Sequence, residues 1–331
     1  MARDIGRLTK LGLGKETPRG TEKAPDFWIP VLDLGFDDRT KNKANEGGYG
    51  NIADAQGSQV VKAWADGDYS GKIQDKSVGI ELTGVFGQSP VSVQRTTTGV
   101  YDHSFTMAQN STHASLTIAK AESNFTARYP FGMVGSWSLE AEVGDFIRRT
   151  VSLMSKKGVS SSETPAYTDE NEFVPRHMVV KLAAAGANDA TIDAVTAAKM
   201  SSFTLDINKN VEEQMVFGSN EPDGFGNKQV EVGGRFVLFY DDRAYHTLAA
   251  NNTHQACRVD MINTDTIIGT SGSHNPALRF TMPEIVLEYP EISFDNNDVK
   301  VITVNYKAVL NLATGAQITA RVTNAYAGTA Y

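Results

Sequence analysis

The chain carries a single cysteine, Cys257, among 331 residues. One thiol excludes an intramolecular disulfide and any metal site built from several thiolates. In the strand-like run Ala256–Ile262 it reads as a small hydrophobe. Long apolar runs are missing as well: no stretch approaches the ~18 residues of a membrane span. The opening MARDIGRLTKLGLGKETPRG has no apolar centre of a secretory leader, so the expectation is folding in a cytoplasm and no membrane binding. Clustered positive charge is absent too. The net charge is −8, whereas tight binders of duplex DNA neutralise phosphates with groups of Lys and Arg. Tryptophan is limited to Trp28, Trp64 and Trp137, few for the aromatic platforms that a carbohydrate-binding protein needs.

Catalytic patterns are equally scarce. The stretch from Gly67 to Lys72 is one residue short of a phosphate-cradling loop and lacks the following hydroxyl residue. Neither H-E-x-x-H nor G-x-S-x-G occurs. The histidines (His103, His113, His177, His246, His254 and His274) are spread without metal-site spacing and read as surface positions on loops or strands. Asp66-Gly67-Asp68-Tyr69-Ser70-Gly71 opens like a calcium loop, but the twelfth position, where a bidentate acid belongs, is Ser77; a polar turn is the expectation. Glu140 with Glu142 and Glu212 with Glu213 pair carboxylates, as a solvated strand face also does. The residues therefore point to no enzyme, no cofactor and no metal.

What the chain has in quantity is period-two alternation. Trp137, Leu139, Ala141 and Val143 alternate with Ser138, Glu140 and Glu142. Phe203, Leu205 and Ile207 alternate with Thr204, Asp206 and Asn208, and Ile302, Val304 and Tyr306 with Thr303, Asn305 and Lys307. Each is a strand with one apolar and one polar face. Further strands are expected at Ser115–Ala119, Thr150–Met154, Val174–Leu182, Arg235–Tyr240, Arg258–Ile262, Arg279–Met282 and Ile285–Tyr289. Helices are few: Val78–Phe86 capped by Ser77, Ala244–Ala250 capped by Asp241 or Asp242, and a weak one in Ala187–Lys199 with Asn188 or Asp189 as cap. Asp37–Gly57, Gly158–Asn171, Gly218–Lys228 and Thr264–Pro276 read as long polar loops.

The order of elements appears twice. SGKIQDKSVGIELTGVFG and GGRFVLFYDDRAYHTLAA each give a strand, a cap and a short helix; HASLTIAK and ALRFTMPE follow, and each half closes with a strand pair. The predicted fold is mainly β, in two tandem units at 27–158 and 173–331. A linker at 159–172 joins them, and a mildly basic arm at 1–26 orders only on a partner. The tail Asn324–Tyr331 is expected to behave like the arm. On these grounds alone the function stays open.

Several segments resemble a known family. DFWIPV with the following Gly/Asn loop and a strand–helix unit ending in GVFG, then YDHSF, ASLTIAK and WSLEAEVGDFIRRTVSLMSKKG, are similar to the tail tube proteins of long, non-contractile-tailed bacteriophages. So are SFTLDINKNVEEQMVFGSNEPDGFGNKQVEVGGRFVLFYDD and LRFTMPEIVLEYPEIS…VITVNYKAVLNLATG. The resemblance runs from about Phe27 to the C-terminus and is one of layout. It implies β-sandwich or half-barrel domains that line stacked rings, with DNA passing through the bore. A tandem duplication would make the ring a three-subunit pseudo-hexamer. The partners it implies are further copies of the chain, the tape measure, the tail terminator and the tail tip. Acidic polar strand faces would suit a bore that carries DNA without holding it, with Glu140, Glu142 and Asp206 as the candidate lumen-facing residues. The alternatives are another β-rich virion component, such as a decoration or baseplate protein, and a carbohydrate-binding β-protein.

Overall fold

Alternation sets the faces of the strands, and the strands set everything else. The computed structural model describes residues 5–96, 98–270, 274–294, 296–297, 299–328 and 331; the first four residues of the expected arm and two of the tail lie outside them. The first half contains β1 (Lys10–Lys15), β2 (Phe27–Ile29), β3 (Asp33–Leu34), β4 (Asp37–Ala44), β5 (Ser58–Lys72), α1 (Val78–Phe86), β6 (Val91–Gln94) and β7 (Tyr101–Thr106). It continues with β8 (Leu116–Ala121), β9 (Thr126–Glu142), β10 (Arg148–Ser155) and β11 (Val159–Ser160). The second half contains β12 (Met178–Ala184), α2 (Asp189–Ala194), β13 (Met200–Asn208), β14 (Glu212–Gln214), β15 (Gly224–Gly226), β16 (Glu231–Phe239) and α3 (Ala244–Ala250). It closes with β17 (Gln255–Ile262), β18 (Ala277–Leu287), β19 (Glu291–Ser293), β20 (Val301–Ala308) and β21 (Thr319–Asn324). All but β14 and β15 hydrogen-bond into one antiparallel system.

Within it the halves repeat one pairing order. In the first half the neighbours run β2–β1–β8–β9–β10–β5–β4, with β3 also on β5. In the second they run β12–β17–β18–β20–β16–β13, with β19 also on β20. Irregularities fall at equivalent points. The β8–β9 register slips between Leu116 and Ile118, the β17–β18 register between Gln255 and Cys257. The β9–β10 register slips between Ser152 and Leu153; along β20 it slips between Thr303, opposite Glu291, and Tyr306, opposite Leu287. Gly67 and Gly234 occupy matching places, opposite Leu153 and Tyr306, at φ 151° and 159°. A side chain at either would run into a neighbouring carbonyl, that of Gly35 or of Thr204, so both positions require glycine. On this register β18 and β19 together are the counterpart of the single long β9, and β3–β4 the counterpart of β13.

The halves meet along β13, which pairs with β16 on one side and with the C-terminal part of β9 on the other. A second seam joins β21 to β7. Trp137, Leu139, Phe203, Leu205, Phe236, Phe280, Val304 and their neighbours form one core that crosses the seam.

Several expectations are corrected. The arm is a strand for part of its length: β1 lies between β2 and β8 with Leu11 and Leu13 fully buried, and Glu16, itself 4% exposed, accepts hydrogen bonds from Thr117 and the Phe131 amide. The tail is anchored as well. Tyr331 is 2% exposed; its hydroxyl donates to the Lys76 carbonyl and accepts from Asn324 Nδ2. Asp37–Ala44 is a strand, not loop, and so is Asp66–Lys72, whose extended pairing on both sides replaces the expected turn. Arg279–Met282 and Ile285–Leu287 are one strand that runs through Pro283. Val143 lies beyond the end of β9 and is exposed. Ser77 does not cap α1; Glu170 accepts from the Lys76 and Ser77 amides at 3.0 and 2.6 Å, so part of the expected linker holds the helix N-terminus.

Candidate functional site

The polar sides of β9, β13, β16 and β20 line one concave groove of about 720 Å³. Glu140 stands opposite Thr204 on β13 and Arg148 on β10. Asp206 stands opposite Ser138 on β9 and Gly233 on β16. The groove also takes in Glu231, Arg235, Glu288 and Lys307. Glu142 lies one alternation further along β9, opposite Ser202. The three residues singled out from the sequence therefore share one face, because the antiparallel register keeps even-numbered positions of both strands on the same side.

The electrostatics of this face are mixed. Partial burial raises the Asp206 carboxyl above the ordinary carboxylate range; Arg235 opposes the shift and Glu140 adds to it. Glu140 and Glu142 are exposed. Among the described residues that line the groove there is neither histidine nor cysteine. Cys257 is fully buried on β17, and burial pushes its thiol up to about 12, which removes it as a nucleophile.

Most histidines depart from the surface expectation. His103, His113, His177 and His246 are buried. His103 shares its Nε2 with Asn324 Oδ1 and the Tyr326 carbonyl and its Nδ1 with Ser92 Oγ. His113 Nε2 meets the Ala108 carbonyl; burial, with Lys209 and Arg19 nearby, lowers its pKa to about 4. These rings close backbone and side-chain hydrogen bonds inside the fold. For His103 the isolation in sequence concealed this, because Asn324 and Tyr326 lie in the far half of the chain; for His113 the partner is close in sequence but leaves no pattern of its own.

Sequence reasoning also missed the buried ionic centre. Glu81 of α1 accepts hydrogen bonds from Tyr69 Oη at 2.9 Å, Trp137 Nε1 at 3.2 Å and Arg149 Nε at 2.5 Å, with Glu81 and Arg149 both fully buried. One acid inside an otherwise apolar helix was the available signal.

A polar strand wall over a continuous core, with its charges spread along the strands, defines a structural β-protein. A family profile described as phage tail tube protein matches residues 6–320. The chain belongs to that family: it forms the tail tube, and its place is the tail of the phage virion. Among solved structures, the one described as "Crystal structure of Hcp protein" is similar at 12% identity, with 45% of this chain and 98% of that one covered at a TM-score of 0.22. No curated protein matches.

Proposed function

We propose that the chain builds the tube of a long, non-contractile tail from rings of three subunits, each supplying two tandem wall units at 27–158 and 173–331. The observation that carries this reading is the repeated pairing order, with register slips at equivalent places and Gly67 matching Gly234. Two equivalent units per chain turn a six-fold wall into a three-fold ring. The groove face lines the bore, with Glu140, Glu142 and Asp206 directed at the lumen. Carboxylates there repel the duplex and provide none of the counterion-releasing contacts that would hold it. The tape measure, the tail terminator and the tail tip are the partners of this assembly.

Electron microscopy of the purified protein tests the ring: hollow tubes with three chains per ring are expected, and six chains per ring or dispersed monomers would refute it. The bore assignment is tested by Glu140→Lys combined with Asp206→Lys. Slowed or incomplete DNA ejection from intact tubes is expected; unchanged ejection would place these residues off the path.

A further inference from the structure

The seam inside the chain specifies the seam between chains. In the interior, β13 pairs with the C-terminal part of β9 in the register Asp206↔Ser138, Leu205↔Leu139, Thr204↔Glu140 and Phe203↔Ala141. The counterpart of β13 is β3–β4, and that of the C-terminal part of β9 is the segment from Tyr289 to Phe294. Among the described residues both counterparts have one free edge: β3 and β4 pair only with β5, and β19 only with β20. Free strand edges template further pairing unless they are covered. Here the uncovered edge also exposes apolar side chains. Ile292 is 38% exposed where its counterpart Leu139 is fully buried, and Phe294 is 65% exposed where Ala141 is buried.

We propose that these edges pair in trans, antiparallel, with a second copy of this chain, in the register of the internal seam: Asp37 opposite Glu291, Phe36 opposite Ile292, Gly35 opposite Ser293 and Leu34 opposite Phe294. The contact is head-to-tail, so one chain offers β3–β4 and receives a neighbour on β19. Each contact repeats the rotation that relates the two halves, and three chains close the circle. The partner is a second copy because the matching edge exists in this chain and continues the hydrogen-bonding of its own β9–β13 seam. This rests on the ring reading above.

The test is a cysteine pair. Asp37 and Glu291 are both exposed on their strands, so substitution leaves the core intact. Cys257 is buried, and the engineered thiols have no competitor. Asp37→Cys with Glu291→Cys is oxidised after assembly and run without reductant, beside Arg39→Cys with Glu291→Cys, which is two residues out of register. Ser138→Cys with Asp206→Cys calibrates the geometry within one chain. The in-register pair is expected to yield covalent trimers, and the shifted pair to remain mostly monomeric. Rings seen by microscopy without cross-linking, or cross-linking favouring the shifted pair, would overturn the edge pairing and leave the tube reading intact. Absence of rings from the wild-type chain would overturn both.

Discussion

The two halves share a pairing order and differ in where they place charge. In the first half, the core holds Glu81 bonded to Tyr69, Trp137 and Arg149. At the corresponding register positions the second half has Phe236 for Tyr69, Ile302 for Arg149 and Pro290 for Trp137, and α3 offers the core the partly buried Tyr245 and Leu248 in place of an acid. Away from the core the pattern reverses. Arg258, 1% exposed, is bonded to Asp193 and Asp260, and Arg279 also reaches Asp260. The first half puts Ala119 and Ala121 at those positions, under Trp28. One backbone scheme thus accepts either an ionic or an apolar filling, provided that each buried charge meets an opposite one and each volume is filled.

The sharpest way to break this comparison is Glu81→Ala. It leaves Arg149 charged and buried without its partner, and a loss of about 3–5 kcal/mol is expected from chemical denaturation of the monomeric chain. Giving the first half an apolar filling like that of the second, with Glu81→Leu, Arg149→Ile and Tyr69→Phe together, is expected to recover most of that loss. If the triple variant is no more stable than the single one, the halves are not interchangeable in their interiors.

Arg258→Ala in the second half is expected to cost less, about 1–3 kcal/mol by the same denaturation measurement. Asp260 keeps Arg279, and Asp193 is largely exposed and returns to water. A loss as large as that of Glu81→Ala would show that the outer network bears as much as the inner one.

At the junction the effect is read as a slope with pH. Lys209 is buried just after β13, and its ammonium donates to the Gly84 carbonyl at 2.6 Å, tying the second half to α1 of the first. Burial, with Arg19 nearby, lowers its pKa to about 7. Above that pH the folded chain holds Lys209 neutral, while the unfolded chain keeps it charged up to its ordinary value near 10.5. The unfolded state then binds more protons, so stability rises with pH through this window, by up to ~1.4 kcal/mol per pH unit. Below pH 7 both states are protonated and the full cost of burial remains. Lys209→Met is expected to flatten that slope in denaturation curves taken from pH 7 to pH 10; an unchanged slope would assign it to other groups.

Where burial followed an alternating face, the sequence was readable: Trp137–Ala141, Phe203–Ile207 and Ile302–Tyr306 are strands with their apolar sides inward, and Val78–Phe86 is a helix. The shared face of Glu140, Glu142 and Asp206 follows from the same alternation. β4 was not readable, because none of its residues is buried and a strand held only by its pairing with β5 leaves no hydrophobic period. β1 was missed for the opposite reason: four consecutive buried residues, half of them glycine, do not alternate.

Local order and the apolar faces were thus determined by the sequence alone, since they depend on neighbours two to four residues apart. Which edge meets which was decided only in three dimensions. The Glu170 cap on α1, Tyr331 against the Lys76 carbonyl, the bonding of Glu81 to Trp137 and Arg149 and the β13–β9 seam all join groups that are distant along the chain. No local pattern encodes such pairs, because their free energy arises when closing the chain brings desolvated partners together.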